Sequence, residues 1–309
     1  MFTPFASLSS VRVVLSITAT HGFKIYQMDI VTGFLGSKIE EEVYVSLPEG
    51  ILGSTRVASL NRSLYGLKQS PRCWYTTIDA FLIGKMGIRR GRFDCCIYTD
   101  EHGSVLALYV DDILITGTSK NIHQIRQQLK AKFEMVDLGP VSHFLGMVII
   151  RKAEKRQIYF SQQGYIDQVL EIFAITECKP VARPIDKDKP GLRMREDLSC
   201  NWELYLKLIR SLSWIAIGTR PDISFVVSYL GRFNADPSLI HWTCVKRVLG
   251  YLKGTKHLKP SLEGELQKSG ELKEGFKLSG YVDSDFAREV SSLKSITGYV
   301  LLLRSGIVQ

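Results

Sequence analysis

The sequence predicts an α+β protein in which a ferredoxin-like βαββαβ sheet with helices precedes a helical segment. Three observations point there. Residues 104–118, SVLALYVDDILITGT, place two apolar, β-branched runs on either side of a bare Asp111-Asp112 pair, the pattern of a β-hairpin. Residues 23–132 alternate strand, helix, hairpin and helix signals. Residues 202–254 carry three apolar stripes at helical spacing.

Composition limits the classes before any element is placed. With 309 residues, 45% of them hydrophobic, the chain can bury a sizeable core in two or three domains. Forty Lys and Arg against 31 acids give a charge of +9. That suits a polyanionic partner, although ribosomal, nuclear and secreted proteins share the balance. The six cysteines form no C-x-x-C pair and the histidines no zinc-finger or H-E-x-x-H spacing, so reduced thiols in an intracellular protein are expected, not a zinc or disulfide scaffold. The first twenty residues have no charged leading region, and Arg12 interrupts their apolar stretch. Neither a secretory signal nor a membrane span is expected.

Taken in order, Phe5, Leu8, Val11, Val14 and Leu15 recur at helical spacing and predict a core helix. FKIYQMDI (23–30) is a strand ending in Asp29, and Phe34 follows five positions later on the turn that leaves it. An acidic run, KIEEE (38–42), leads to a strand over 43–47 and a Pro-Glu-Gly turn over 48–50. From residue 62 to 92, seven cations (Arg62, Lys68, Arg72, Lys85, Arg89, Arg90, Arg92) face one acid, Asp79, with Tyr65, Trp74 and Tyr75 interleaved. Cations with flat rings suit a phosphate backbone and stacked bases; a solvated helix face over core aromatics reads the same way.

The hairpin comes next, with Asp111 and Asp112 expected at its tip. Adjacent anions repel, so the pair calls for water or a divalent cation, and a solvated surface turn is the plainer account. Ser119 is expected to cap a helix with Ile122, Ile125, Leu129 and Phe133 on one face and Arg126, Lys130 and Lys132 opposite. In a βαββαβ sheet the first strand lies beside the central hairpin, which would bring Asp29 to the acidic pair 82 positions later (111 minus 29).

Beyond it, residues 144–160 predict a hairpin and 163–173 a helix, while the Pro- and charge-rich 178–201 reads as a linker. Three helices follow, striped by Leu204, Leu208, Leu212 and Ile215, then Ile223, Val226, Val227 and Leu230, then Ile240, Cys244, Val248 and Leu252. The last also carries Lys246 and Arg247, which could face a nucleic-acid backbone. Residues 259–278 are a polar connection, and strands are expected over 280–286 and 296–303. Two strands cannot bury a core alone, so this end reads as part of a domain.

These residues resemble a known family. Gln27-Met28-Asp29, Ser63-Leu64-Tyr65-Gly66-Leu67-Lys68-Gln69, Pro71-Arg72-Cys73-Trp74-Tyr75, Tyr109-Val110-Asp111-Asp112, Asp137-Leu138-Gly139, Phe144-Leu145-Gly146, Thr219-Arg220-Pro221-Asp222-Ile223 and Val245-Lys246-Arg247-Val248-Leu249 are similar, in order, to the reverse transcriptase of copia-type LTR retrotransposons. The resemblance implies a polymerase palm with partial fingers over 1–177, the linker, a helical thumb or connection over 202–258, and the start of an RNase H-like domain over 278–309. It implies RNA-directed DNA polymerase activity with Asp29, Asp111 and Asp112 as catalytic, metal-holding carboxylates. The cofactor would be two Mg²⁺ ions, with Mn²⁺ able to substitute, because hard carboxylate oxygens suit such ions at phosphoryl transfer.

The same resemblance makes Phe34 an aromatic gate against a ribose 2′-hydroxyl, a core Phe being the plainer account. Gln69 and Tyr109 join it at the nucleotide, Lys68, Arg72, Lys246 and Arg247 at nucleic acid, and Asp283 as the first RNase H-like acid. Implied partners are an RNA template, a DNA primer, deoxynucleotide triphosphates and the retrotransposon capsid and integrase, in a cytoplasmic virus-like particle or the nucleus, with no membrane. The chain departs from the family at Gly33 (usually Ala), Gly36 (Asn), Phe286 (Trp) and Arg288 (Gly). In the family, fingers strands bearing triphosphate contacts would precede residue 1 and further RNase H acids would follow residue 309, which argues against strand cleavage by this chain. Two readings compete: an inactive retrotransposon remnant, and an RNA-binding module without catalysis. The second lacks an RNP1 signature and has no need of three acids.

Overall fold

A computed structural model of the chain describes residues 4–48, 50, 57–186, 198–264, 276–284 and 295–309. It is a mixed α+β structure with several sheets, and it divides into two compact units, Met1–Val141 and Ser142–Gln309.

In the first unit, helix α1 (Leu8–His21) is capped by the Ser7 side chain, which accepts from the Ser10 amide, and stops at Gly22 in the left-handed conformation (φ 65°). Strand β1 (Lys24–Ile30) and a one-turn helix α2 (Gly33–Gly36) follow. Then come the short pair β2 (Tyr44–Ser46) and β3 (Val57–Ser59), helix α3 (Ser70–Gly84), β4 (Arg89–Arg90), β5 (Ile97–Thr99), β6 (Val105–Tyr109), β7 (Asp112–Gly117), helix α4 (Ser119–Lys132) and β8 (Met135–Pro140). One antiparallel sheet runs β4-β5-β6-β7-β1-β8. The residues of β6 and β7 between Val105 and Gly117 are buried except at the joining turn and its two flanking residues, Tyr109 and Asp112. Such continuous burial is what a central strand covered on both faces requires. Trp74, Ile78 and Leu82, spaced four apart, turn one face of α3 inward, and Ile122, Ile125 and Leu129 do so for α4.

Two local expectations are corrected here. The hairpin turn is Val110-Asp111, because Tyr109 pairs with Asp112, which already opens β7. Thr118, not Ser119, caps α4: its side chain accepts from the Asn121 amide, leaving Ser119 as the first helical residue. The cations Arg126 and Lys130 of α4 also bind Asp137 of β8. Against the raising effect of burial, those two cations pull the Asp137 carboxyl down to about 2.

The second unit begins with β9 (His143–Phe144), β10 (Met147–Lys152) and β11 (Gln157–Ser161), to which β12 (Ser261–Glu263) adds an edge. Helices α5 (Gln163–Ile172), α6 (Trp202–Gly218), α7 (Ser224–Gly231) and α8 (Leu239–Thr255) share one apolar core. Leu204 and Ile240, expected in the helical stripes, are exposed in the first turns of α6 and α8. Tyr205, one residue after the first, and Val245, five residues after the second, fill the core. A buried Arg220 closes the bundle: it donates two parallel hydrogen bonds to the Asp222 carboxylate, at 2.9 and 2.7 Å, and donates to the Thr255 carbonyl at 3.0 Å and hydroxyl at 2.6 Å. Tyr251 donates to the same carboxylate at 2.7 Å. Part of the expected linker, 187–197, lies outside the described residues. The antiparallel strands β13 (Leu278–Ser284), β14 (Thr297–Leu303) and β15 (Gly306–Ile307) form a separate sheet. Among the described residues, no helix is long and apolar enough to cross a membrane.

Candidate active site

The sheet of the first unit brings the three predicted acids to one end of its central strands. Asp29 on β1 pairs directly with Asp112 on β7, and residues opposite one another in an antiparallel pair project from the same face. Asp111 occupies the turn beside them. Both turn carbonyls are held: the Ile30 amide donates to the Asp111 carbonyl at 3.0 Å, and the Trp74 indole N–H donates to the Val110 carbonyl at 2.8 Å. The restraint matters because Val110 has φ 57°, a left-handed conformation that a β-branched residue adopts only when its surroundings impose it.

Electrostatics distinguish the three acids. Burial first, and then the charges of Asp29 and Asp112, push the Asp111 carboxyl up to about 6. Asp29 is also raised, by burial and then by Asp112. Asp112 is steadied through its Oδ1, which accepts from Gln27 Nε2 at 2.9 Å. Asp111 Oδ1 is buried with no hydrogen-bond partner. A Cβ built on Gly33 would lie 2.7 Å from that oxygen and 3.1 Å from the Trp74 ring, so the carboxylate sits in space that only a glycine leaves.

Among the described residues none of the three acids is ion-paired. An unpartnered buried carboxylate oxygen with two further acids beside it fits a hard divalent cation, which would remove both the desolvation and the mutual repulsion. Among the described residues no three His, Cys, Asp or Glu side chains are arranged to hold a metal ion. An ion here would complete its shell with water or bound phosphate oxygens.

The other candidates lie as follows. Phe34 in α2 is 9% exposed, its ring 4.8 Å from that of Tyr65. Gln69, at the start of α3, donates through Nε2 to Glu41 at 2.8 Å, which joins the acidic run to the helix. The Tyr109 ring meets Phe5 edge-on at 5.2 Å. Lys68 and Arg72 are exposed beside Gln69. In the second unit, Lys246 is exposed, whereas Arg247 pairs with Asp186 at 2.7 Å. Asp283 is exposed on β13 opposite Gly298; Asp285, Phe286 and Arg288 lie outside the described residues. Sequence reasoning did not assign Gln27, Gly33 or Trp74 to the site. Only Trp74 carried a usable signal, its four-residue spacing with Ile78 and Leu82.

Residues 1–187 match the family described as reverse transcriptase (RNA-dependent DNA polymerase). The whole chain is 35% identical to part of a retrovirus-related Pol polyprotein from transposon TNT 1-94 of Nicotiana tabacum, covering 24% of it. It is 32% identical over 98% of its length to 20% of the corresponding polyprotein from transposon RE1 of Arabidopsis thaliana. Three quarters of it matches a transposon Ty5-1 protein of Saccharomyces cerevisiae at 33% identity, covering 77% of that protein. The chain thus spans about a quarter or less of the two polyproteins.

Proposed function

The chain belongs to the reverse transcriptase (RNA-dependent DNA polymerase) family of copia-type retrotransposons, and from that premise we propose that Asp29, Asp111 and Asp112 form the centre of a template-directed DNA polymerase. The observation that carries the proposal is the unpartnered Asp111 Oδ1 next to the paired Asp29 and Asp112. Residues 1–177 would act as palm with part of the fingers, 178–201 as linker, 202–258 as thumb or connection, and 278–309 as RNase H-like sequence around Asp283. The partners in this reading are an RNA template, a DNA primer and deoxynucleotide triphosphates, with the transposon's capsid and integrase as neighbours in an intracellular particle or the nucleus.

Asp29, Asp111 and Asp112 would hold two Mg²⁺ ions. When bound, such ions supply activation of the primer 3′-hydroxyl and stabilisation of charge on the departing pyrophosphate oxygen. The chain's own residues supply placement. The tied carbonyls of Val110 and Asp111 fix where the Asp111 carboxylate stands, and Gln27 orients Asp112. Preset ligands of this kind need no reorganisation during the reaction. Phe34, on the turn just after Asp29, would oppose a ribose 2′-hydroxyl, with Gln69 and Tyr109 at the nucleotide. Lys68 and Arg72 would neutralise template or primer phosphates.

Primer extension of oligo(dT) on poly(rA) with Mg²⁺ tests the proposal. Asp111→Asn is expected to lower the rate by roughly a thousandfold, the several kcal/mol that metal-ion charge stabilisation supplies, while template binding stays within about twofold. Unchanged extension by that variant refutes the assignment.

A further inference from the structure

Beside the acidic turn, next to Gly33 and Trp74, the first unit has a half-open pocket of about 320 Å³ between the 30–36 turn, α3 and the α4–β8 junction. Its size falls at the lower end of small-molecule sites, ~300–1,000 Å³. The half-buried Phe133 lines it with its ring, and the buried Trp74, 2% exposed, closes the inner end, meeting that ring edge-on at 5.4 Å. Arg62 and Lys132 also line it, and among the described residues neither is ion-paired. Glu134 is the one acid on the lining, so the pocket carries a net positive charge.

We propose that this pocket binds a small planar aromatic anion, its ring against Phe133 with the Trp74 edge beyond it and its acid group between Arg62 and Lys132. Ring contacts and charge-assisted hydrogen bonds to a guanidinium and an ammonium together select that chemistry. The free Glu134 carboxylate can accept from a ring N–H or amino group, which favours a heterocycle. A nucleoside monophosphate and a simple aromatic acid both satisfy the description.

The pocket also has a route to the acids. The Trp74 indole that lines it donates to the Val110 carbonyl, and Val110 is the strained turn residue next to Asp111. The same ring and Asp111 Oδ1 border one small space, since a Cβ on Gly33 would lie 3.1 Å from the first and 2.7 Å from the second. Thr32, another lining residue, is itself left-handed at φ 53°. A ligand that shifts Trp74 therefore shifts the acidic turn, and this coupling, unlike the binding itself, rests on the polymerase reading.

Isothermal titration of the full chain in EDTA, with adenosine monophosphate and separately naphthalene-2-sulfonate, tests the binding where no divalent metal supports a nucleotide at the acids. At least one probe should bind, and the tighter one identifies the source as nucleotide or aromatic acid. The double variant Arg62→Ala/Lys132→Ala changes exposed side chains only, and should weaken binding about tenfold or more. Gly36→Phe points a ring into open space on the lining and should abolish binding by filling the pocket. If neither probe binds, or if both variants bind like the parent, the site is refuted. In primer extension a saturating probe should lower kcat with the KM for nucleotide little changed; an unchanged kcat overturns the coupling. If the parent chain extends no primer, the polymerase reading fails on its own, while the titration still decides the pocket.

Discussion

Asp111 is where residue-level chemistry makes the sharpest demands. Its carboxyl titrates near 6 while the ordinary value is 3.8, so between those values the folded chain keeps a proton that the unfolded chain releases. Stability contributed by that proton is present at acid pH and is lost as pH rises through about 6. Asp111→Asn removes this dependence and should raise the melting temperature above pH 6, where the parent holds a buried, unpartnered charge; calorimetry at pH 5 and pH 8 distinguishes the two. Catalysis follows the opposite sign. A metal-holding Asp111 must be ionised, so extension should rise with pH through about 6, and at lower pH when more Mg²⁺ is present. Gly33→Ala would press a methyl group against Asp111 Oδ1 and drive the carboxylate toward solvent. Its pH–rate profile should then move toward the usual carboxylate range. A midpoint still near 6 would show that this carboxyl is not the group being titrated.

At the scale of elements, the strands and helices of the first unit were legible because their patterns are strong. Unbroken β-branched and apolar runs in β6 and β7, and the three- and four-residue spacing of Ile122, Ile125 and Leu129 in α4, are signals of that kind. The turn between β6 and β7 was placed one residue late for a physical reason. Val has high strand propensity and a poor fit to positive φ, so Val110 looked like strand and the two acids like turn. Tertiary restraint from Trp74 and Ile30 overrides that preference. The cap of α4 slipped in the same direction, since Thr118 and Ser119 are equally good caps and only the structure shows which side chain meets Asn121. Thr118→Ala should cost about 1 kcal/mol and Ser119→Ala a few tenths, measured by chemical denaturation. Equal losses would contradict the cap.

For the molecule as a whole, the contacts that could not be foreseen join distant, polar-looking residues. Nothing in the spacing around Arg220-Pro221-Asp222 foretells burial, yet Arg220 is buried and tied to both Asp222 and the end of α8. Asp222→Asn leaves that guanidinium without its counter-charge and should destabilise the second unit by about 3 kcal/mol or more, seen as an earlier helical melting transition in circular dichroism. Arg220 and Tyr251 outweigh the effect of burial and hold the Asp222 carboxyl below its usual range. Its contribution is therefore present at neutral pH and lost on acidification through that depressed value. Charge on the exposed surface was easier to read in number than in role. Lys246→Ala should reduce the salt dependence of template binding by about one counterion, while Arg247→Ala, already paired with Asp186, should reduce it less. Equal slopes for the two variants would overturn that distinction.

The sheet order has a consequence in time. β1 lies between β7 and β8, both of which leave the ribosome after it. Ile30 ends β1 and Asp112 begins β7, so about 80 residues must be translated between them, roughly 4–16 s at 5–20 residues per second. Throughout that interval the nascent β1 has neither of its neighbours and both of its hydrogen-bonding edges are open. Non-local pairing of this kind folds slowly and exposes sticky strand edges. The strand that carries Asp29 is therefore a segment that a nascent-chain chaperone would have to shield.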